Sequence, residues 1–337
     1  MKILVSRTDR IGDVVLSLPV VETLKKSFPN SETYFLSSES TRPLIENQPY
    51  IDRVITLNGA TLTGDISFLK NEELDIAVVL FPTFLISLKL FLAHIPIRIG
   101  TGFRWYSFLF NRKIFEHRRF SEKHEMEYNL NLIKKIGVKK NVKKPNLYID
   151  NKVKKRAKSI LQNAGVDTNN FIVVHPGSGG SSLTYPEKNY KILLKLLTQK
   201  FDFYIVLTGT RNEYSKVEHI ISGLNKKIVN LSGKTDLKEL AAVISLARLF
   251  IGSSTGPMHI ASGVDTKVVA FFPPSRVNRK TRWGPLSDSL IFEPPVPYCE
   301  KCINEKCPYY NCLSLISPLE VADKIEEWYE KGGLRGI

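Results

Sequence analysis

An α/β protein with parallel sheets, in two domains, is expected from three observations. The chain has 337 residues, enough for two domains that each bury a core. Short buried apolar runs alternate with amphipathic helical stretches throughout, the order that builds parallel sheets covered by helices. Three of the apolar runs end in polar or small-residue turns that open a helix, where open α/β sheets hold their ligands.

Met1 to Val21 (MKILVSRTDRIGDVVLSLPVV) begins with a strand, KILV, passes through a polar turn and opens a helix at Gly12-Asp13. Asp13 has two readings. As a helix-start carboxylate it offsets the dipole and carries no chemistry; at the carboxyl edge of a parallel sheet it stands where a ligand docks. No second acid stands beside it, so the paired carboxylates of a glycosidase are not indicated. Further strands are expected near 32–37, 53–57 and 75–81. Ala77 to Ile95 is the most apolar stretch, yet Pro82, Lys89 and His94 interrupt it. It reads as a buried strand followed by an amphipathic helix, too short and broken to span a membrane. Met1 leads straight into a strand without an apolar segment and cleavage site, so a cytoplasmic protein is expected.

The net charge is +15, from 48 basic and 33 acidic residues, and it is unevenly spread. Arg98, Arg104, Arg112, Lys113, Arg118, Arg119 and Lys123 interleave with Phe103, Trp105, Tyr106, Phe108, Phe110, Phe115 and Phe120; Lys134, Lys135, Lys139 and Lys140 follow. A solvated basic face is the plain reading. Cations with aromatics suit single-stranded nucleic acid. They equally suit an anionic acceptor or membrane surface, where each cation adds about 1 kcal/mol near acidic lipid.

Lys143 to Lys158 marks the domain junction, since Lys143-Lys144-Pro145 breaks the periodicity and a basic helix follows from about Lys152. The division is 1–150, 151–316 and a final segment 317–337. Strands are expected near 171–175, 203–208, 228–231, 248–252 and 267–272. Phe171 to Pro186 (FIVVHPGSGGSSLTYP) is a buried strand, then a glycine- and serine-rich loop, with a helix from Pro186. Such loops cradle phosphates through backbone N–H groups. No Walker Lys-Ser/Thr follows, and Gly177, Gly179 and Gly180 lack the dinucleotide spacing, so a plain connector is the alternative. After Leu249-Phe250-Ile251-Gly252, Ser253 to Ser262 (SSTGPMHIAS) opens a helix at Thr255 or Gly256. Its N–H groups and positive end suit an anion such as a diphosphate. Gly256 allows close approach, Pro257 fits the first turn, and His259 lies one turn in. The rival reading is a capped core helix with a buried histidine.

Cys299, Cys302, Cys307 and Cys312 are the chain's cysteines, and their clustering leaves three readings: a structural metal site, a disulfide or redox-labile set, or free thiols. A catalytic cysteine is not indicated. The last helix, Pro318 to Lys331, carries Leu319, Val321, Ala322, Ile325 and Trp328 along one face.

Taken in order, these segments resemble the heptosyltransferases of lipopolysaccharide core assembly, glycosyltransferase family nine. The likeness begins with Arg7…Gly12-Asp13 and passes to His175-Pro176-Gly177 ending in Tyr185-Pro186. It continues through Leu207-Thr208-Gly209 with Glu213 after it, Ser232-Gly233-Lys234-Thr235 and Thr255-Gly256-Pro257-Met258-His259. The resemblance implies the GT-B architecture, two Rossmann-like domains facing across a cleft. The acceptor would sit on 1–150 and the nucleotide sugar on 151–316, with the helix of 317–337 packing back on the first domain. It implies an inverting enzyme that moves heptose from ADP-heptose to the inner core of lipopolysaccharide, with Kdo-lipid A as acceptor and no required metal.

On this resemblance Asp13 is the general base, and Glu213 accepts from the ribose hydroxyls. Ser178, Gly179, Ser254, Thr255, Gly256 and His259 meet the donor, while Arg7, Arg10, Arg98, Arg112, Arg118 and Arg119 meet the acceptor. An anionic acceptor on the inner leaflet turns the basic stretch toward acceptor and membrane, and away from nucleic acid. A peripheral place on the cytoplasmic face of the inner membrane follows. Two positions depart from the family: Leu183 stands where a lysine often meets a donor phosphate, and Ser254 where many members have Asp. They leave open a same-fold glycosyltransferase that uses another nucleotide sugar. A non-catalytic lipid or nucleic-acid binder is the more distant alternative.

Overall fold

The structure, a computed structural model, describes residues 1–57, 61–138, 142–180 and 182–333; Lys139 and Lys140 of the basic stretch lie outside the described residues. The chain divides into two units, Met1–Tyr148 and Ile149–Ile337. The first runs β1 (Lys2–Ser6), α1 (Ile11–Val15), α2 (Leu18–Ser27), β2 (Glu32–Ser37), α3 (Arg42–Ile45), β3 (Arg53–Thr56) and α4 (Leu62–Asn71). It continues with β4 (Ile76–Val79), α5 (Phe84–Leu92), β5 (Ile97–Thr101), β6 (Arg112–Ile114) and α6 (Glu125–Ile133). Its six-stranded sheet is parallel throughout, in the order β3-β2-β1-β4-β5-β6. Ile3, Leu4 and Val5 of β1 are buried because helices cover both faces of the sheet, which explains an unbroken apolar run instead of alternation.

The second unit repeats the plan. It runs α7 (Asn151–Asn163), β7 (Phe171–His175), α8 (Glu187–Lys200), β8 (Tyr204–Leu207), α9 (Tyr214–Ile221), β9 (Ile228–Asn230) and α10 (Leu237–Leu246). β10 (Phe250–Ser253), α11 (Gly256–Gly263), β11 (Val268–Phe271), α12 (Lys280–Trp283), β12 (Ser289–Phe292) and α13 (Pro318–Trp328) complete it. Its parallel sheet has the order β12-β11-β10-β7-β8-β9. In each unit the chain lays down three strands on one side and then returns to the middle, so the order reverses between β1 and β4 and between β7 and β10. Such a reversal splays the following loops apart and leaves a crevice at the carboxyl ends of the strands.

Two details depart from the sequence expectation. β5, β6 and β12 were not anticipated, because Arg98 interrupts β5, β6 is a three-residue RKI, and β12 is only half buried. β6 and β12 close their sheets, and edge strands carry charge and exposure that central ones exclude. The helix opened at Gly12-Asp13 is two helices, since Pro19 lacks an N–H and starts α2 afresh. The last helix packs on α8 of its own unit. Val321, Ala322 and Ile325 are buried with Leu193, Leu194 and Leu197 of α8 in the core of the second unit, and Leu319 points outward.

Candidate active site

In the first unit the turn after β1 wraps around one buried guanidinium. Arg7 donates through Nε to Asp9 (2.7 Å) and through one terminal nitrogen to Glu125 (3.1 Å) and Asn129 (3.2 Å). Its other terminal nitrogen donates to Oδ1 of Asp13. The guanidinium also lies 5.9 Å over the ring of Phe81, at the end of β4, so the cluster sits at the reversal point of the sheet. Burial by itself disfavours the charge on Arg7, but Asp13, Asp9 and Glu125 outweigh it and hold its proton more firmly than water would. The same burial raises the Asp9 carboxyl, and Arg7 opposes that shift.

This geometry changes the reading of two groups. Asp13 is near-buried and paired with Arg7, which stands in the turn between β1 and α1. Arg7, expected among the acceptor cations, is buried and pairs with Asp9, Asp13 and Glu125. Sequence reasoning found no second acid near Asp13. Asp9 lies four residues before it and was passed over, and Glu125 and Asn129 come from α6, far along the chain with no local signal.

The remaining expected acceptor cations fall into two groups. Arg98 is half-buried, donating to the carbonyls of Leu109 (2.9 Å) and Ile95 and lying 5.1 Å over Phe91, and desolvation lowers its proton affinity. Arg118 pairs with Glu125, on the same carboxylate that Arg7 uses. Both therefore brace the fold. Arg10, Arg112 and Arg119 are exposed, Arg119 lying 4.7 Å over Phe120.

In the second unit the separated motifs meet at one edge of the sheet. Nδ1 of His175, at the end of β7, lies 3.0 Å from Oγ1 of Thr208, after β8. Gly233, after β9, donates its amide to Gly209 O (2.9 Å). Tyr185, closing the loop after β7, donates its amide to Oγ of Ser253 at the end of β10 (3.0 Å). These ties hold the loops of four neighbouring strands side by side. Tyr185 is itself pinned, stacked on Phe271 at 4.0 Å and donating its hydroxyl to Ile316 O (2.9 Å).

Within this edge, Gly179 and Gly180 adopt φ of 52° and 77°, left-handed backbone that glycine takes without strain. Ser178 accepts from Gly180 N (3.2 Å) inside the turn. Glu213 accepts through Oε2 from the amide (2.8 Å) and hydroxyl (2.9 Å) of Thr210, while a Cβ on Gly177 would collide with Oε1. The carboxylate thus occupies the space beside Gly177 that a larger residue would fill. Thr255 is the extended residue just before α11, whose first turn holds Gly256 and Pro257. Its hydroxyl is buried with no hydrogen-bond partner among the described residues, so it can serve a ligand. Ser254 donates its amide to Phe271 O (3.1 Å), and His259 is buried with its ring 6.0 Å from Trp283. His175, absent from the expected site, is pushed down to about 4 by burial, against the opposing pull of Glu213, and is neutral at pH 7.

The four cysteines are free thiols, and burial followed by neighbouring cysteines pushes Cys299 and Cys312 up. Among the described residues no group of three or more His, Cys, Asp or Glu is arranged to hold a metal ion.

Residues 66–312 match the profile of glycosyltransferase family 9 (heptosyltransferase). A candidate glycosyltransferase of Haemophilus influenzae is 31% identical over 331 residues, covering 94% of this chain and 96% of the relative. Lipopolysaccharide heptosyltransferase 3 of Escherichia coli is 25% identical over 293 residues, covering 83% and 85%. The solved structure of Escherichia coli ADP-heptose lipopolysaccharide heptosyltransferase II shares the GT-B fold, with a TM-score of 0.82 at 21% identity over 99% of this chain and 100% of that one.

Proposed function

The chain belongs to glycosyltransferase family 9, the heptosyltransferases, and is a glycosyltransferase; on that premise we propose that it transfers heptose from ADP-heptose to the inner core of lipopolysaccharide, with Kdo-lipid A as acceptor. The second unit binds the nucleotide sugar and the first binds the acceptor. The acceptor hydroxyl gives its proton to Asp13 while its oxygen attacks the anomeric carbon from the face opposite the diphosphate. The bond from that carbon to the phosphate oxygen breaks, and ADP leaves with inversion at the carbon. Amides of Ser178 and Gly179, the start of α11 at Thr255 and Gly256, and His259 take the charge that grows on the diphosphate. Glu213 accepts from the ribose. The scheme uses no metal.

What supports this reading is the assembly of four family motifs on one sheet edge, beside an orphaned threonine hydroxyl at a helix start. A second donor remains open because Leu183 and Ser254 replace donor-contacting residues, so the nucleotide must be measured. Melting in the presence of ADP, UDP, GDP and CMP is the first test, with about 2.7 kcal/mol of stabilisation at a hundred times the dissociation constant. ADP alone is expected to act. Turnover of a nucleotide-sugar panel with lipid A acceptors follows, and preference for a sugar other than heptose would move the chain to another substrate in the same fold.

A further inference from the structure

Helix α5 is built inside out. Its sequence FLISLKLFL buries Ser87, Lys89 and Leu90, whereas Phe84, Leu85 and Phe91 stand 41%, 50% and 41% exposed. Lys89 is accommodated by an ion pair with Asp65 of α4, both nearly buried. Ser87 donates its hydroxyl to Thr83 O (2.7 Å). A helix that turns polar groups inward and aromatic groups outward presents a face suited to something other than water.

That face continues beyond the helix. Trp105, 73% exposed, stacks on Phe84 at 4.9 Å, and Tyr106 beneath it donates to Pro82 O (2.7 Å). Charge complements it: from Ile76 to Phe115 the chain has no Asp or Glu, and besides Lys89 and Arg98, which are engaged within the fold, it carries Arg104, Arg112 and Lys113. Arg104, next to Trp105, is exposed. Aromatic rings and leucines rimmed by arginines are the composition that settles at the headgroup level of an acidic bilayer. A second copy of the chain would bring the same cations against each other.

We propose that the outer face of α5, with Trp105, docks on the surface of an anionic phospholipid bilayer. The surface adjoins the Arg7–Asp13 cluster through Phe81, so a lipid-borne acceptor could react without leaving the membrane. This last advantage rests on the transfer reaction proposed above; the docking itself does not.

The test is flotation of the full chain with vesicles, without donor or acceptor. The chain is expected to float with phosphatidylglycerol–phosphatidylcholine vesicles at low salt and to stay behind with phosphatidylcholine alone, with blue-shifted tryptophan emission in the first case. A triple variant, Phe84→Gln with Leu85→Gln and Phe91→Gln, should partition at least about tenfold less. Trp105→Gln alone, at the most exposed ring, should also weaken binding and keeps the test open should the triple variant fold poorly. Failure of the wild type to bind acidic vesicles, or equal binding by folded variants, overturns the proposal. Sedimentation showing a wild-type dimer that the variants convert to monomer would assign the face to a second copy and overturn it too. Vesicle binding and ADP-dependent melting are separate readouts, so either reading can fail without the other.

Discussion

Asp13 and His175 are both near-buried titratable groups, yet their surroundings give them different work. Asp13 is held ready by Arg7, and an amide in its place keeps the shape but cannot take a proton. Asp13→Asn is therefore expected to lower kcat by about a hundred- to ten-thousand-fold while ADP affinity stays near normal. A single-turnover rate close to wild type in the folded variant would return Asp13 to a helix-start role. His175 is pushed down to about 4 in the folded chain, against about 6.5 when unfolded. Between those values the unfolded state binds more protons, so stability is complete above about pH 6.5 and declines as the pH falls toward 4. The loss amounts to about 3 kcal/mol, and His175→Asn should flatten that part of the curve. Equal melting-temperature loss in both proteins across this window would exclude His175 as the source.

The loops after β7 and β10 act as one element because the Tyr185 amide donates to the Ser253 hydroxyl. Ser253→Ala leaves a buried N–H unmet, at a cost of about 1–3 kcal/mol. It also loosens the two loops assigned to the diphosphate, so the donor KM should rise more than kcat falls. A donor KM equal to wild type would mean the tie serves stability alone. Gly177 and Glu213 form a comparable unit, in which the carboxylate occupies the space of the missing side chain. The cysteine segment stands apart from these contacts. Cys299→Ser with Cys302→Ser is expected to leave most turnover intact, and loss of transfer in a soluble, folded double variant would tie the segment to the chemistry.

For the molecule as a whole, the charge of +15 sets a long-range preference for acidic partners. Arg112 and Arg119 are exposed, so their removal should raise the acceptor KM more than the donor KM. Added salt should have the same effect, because screening acts on exposed charges over about 10 Å at 0.1 M. If donor binding is lost instead, these cations serve the nucleotide. Arg98, Arg118 and Arg7 are expected to behave differently, since each braces the fold and its loss should appear first in melting temperature.

The parallel α/β plan, most of its strands and the loop motifs that meet at the edge of the second sheet were legible in the sequence, because apolar runs, glycines and helix-start residues are local signals. Short charged edge strands such as β6 carry no such signal, and neither does α5, whose outward aromatics look in sequence like an ordinary amphipathic helix. The partners of Arg7 and the tie between Tyr185 and Ser253 depend on which strands become neighbours. Residues far apart in the chain meet there because the sheet order reverses, and burial then decides which cations are free and which are committed. Local chemistry thus named Asp13, whereas the buried guanidinium that orients it emerged only when β1, α1 and α6 packed together.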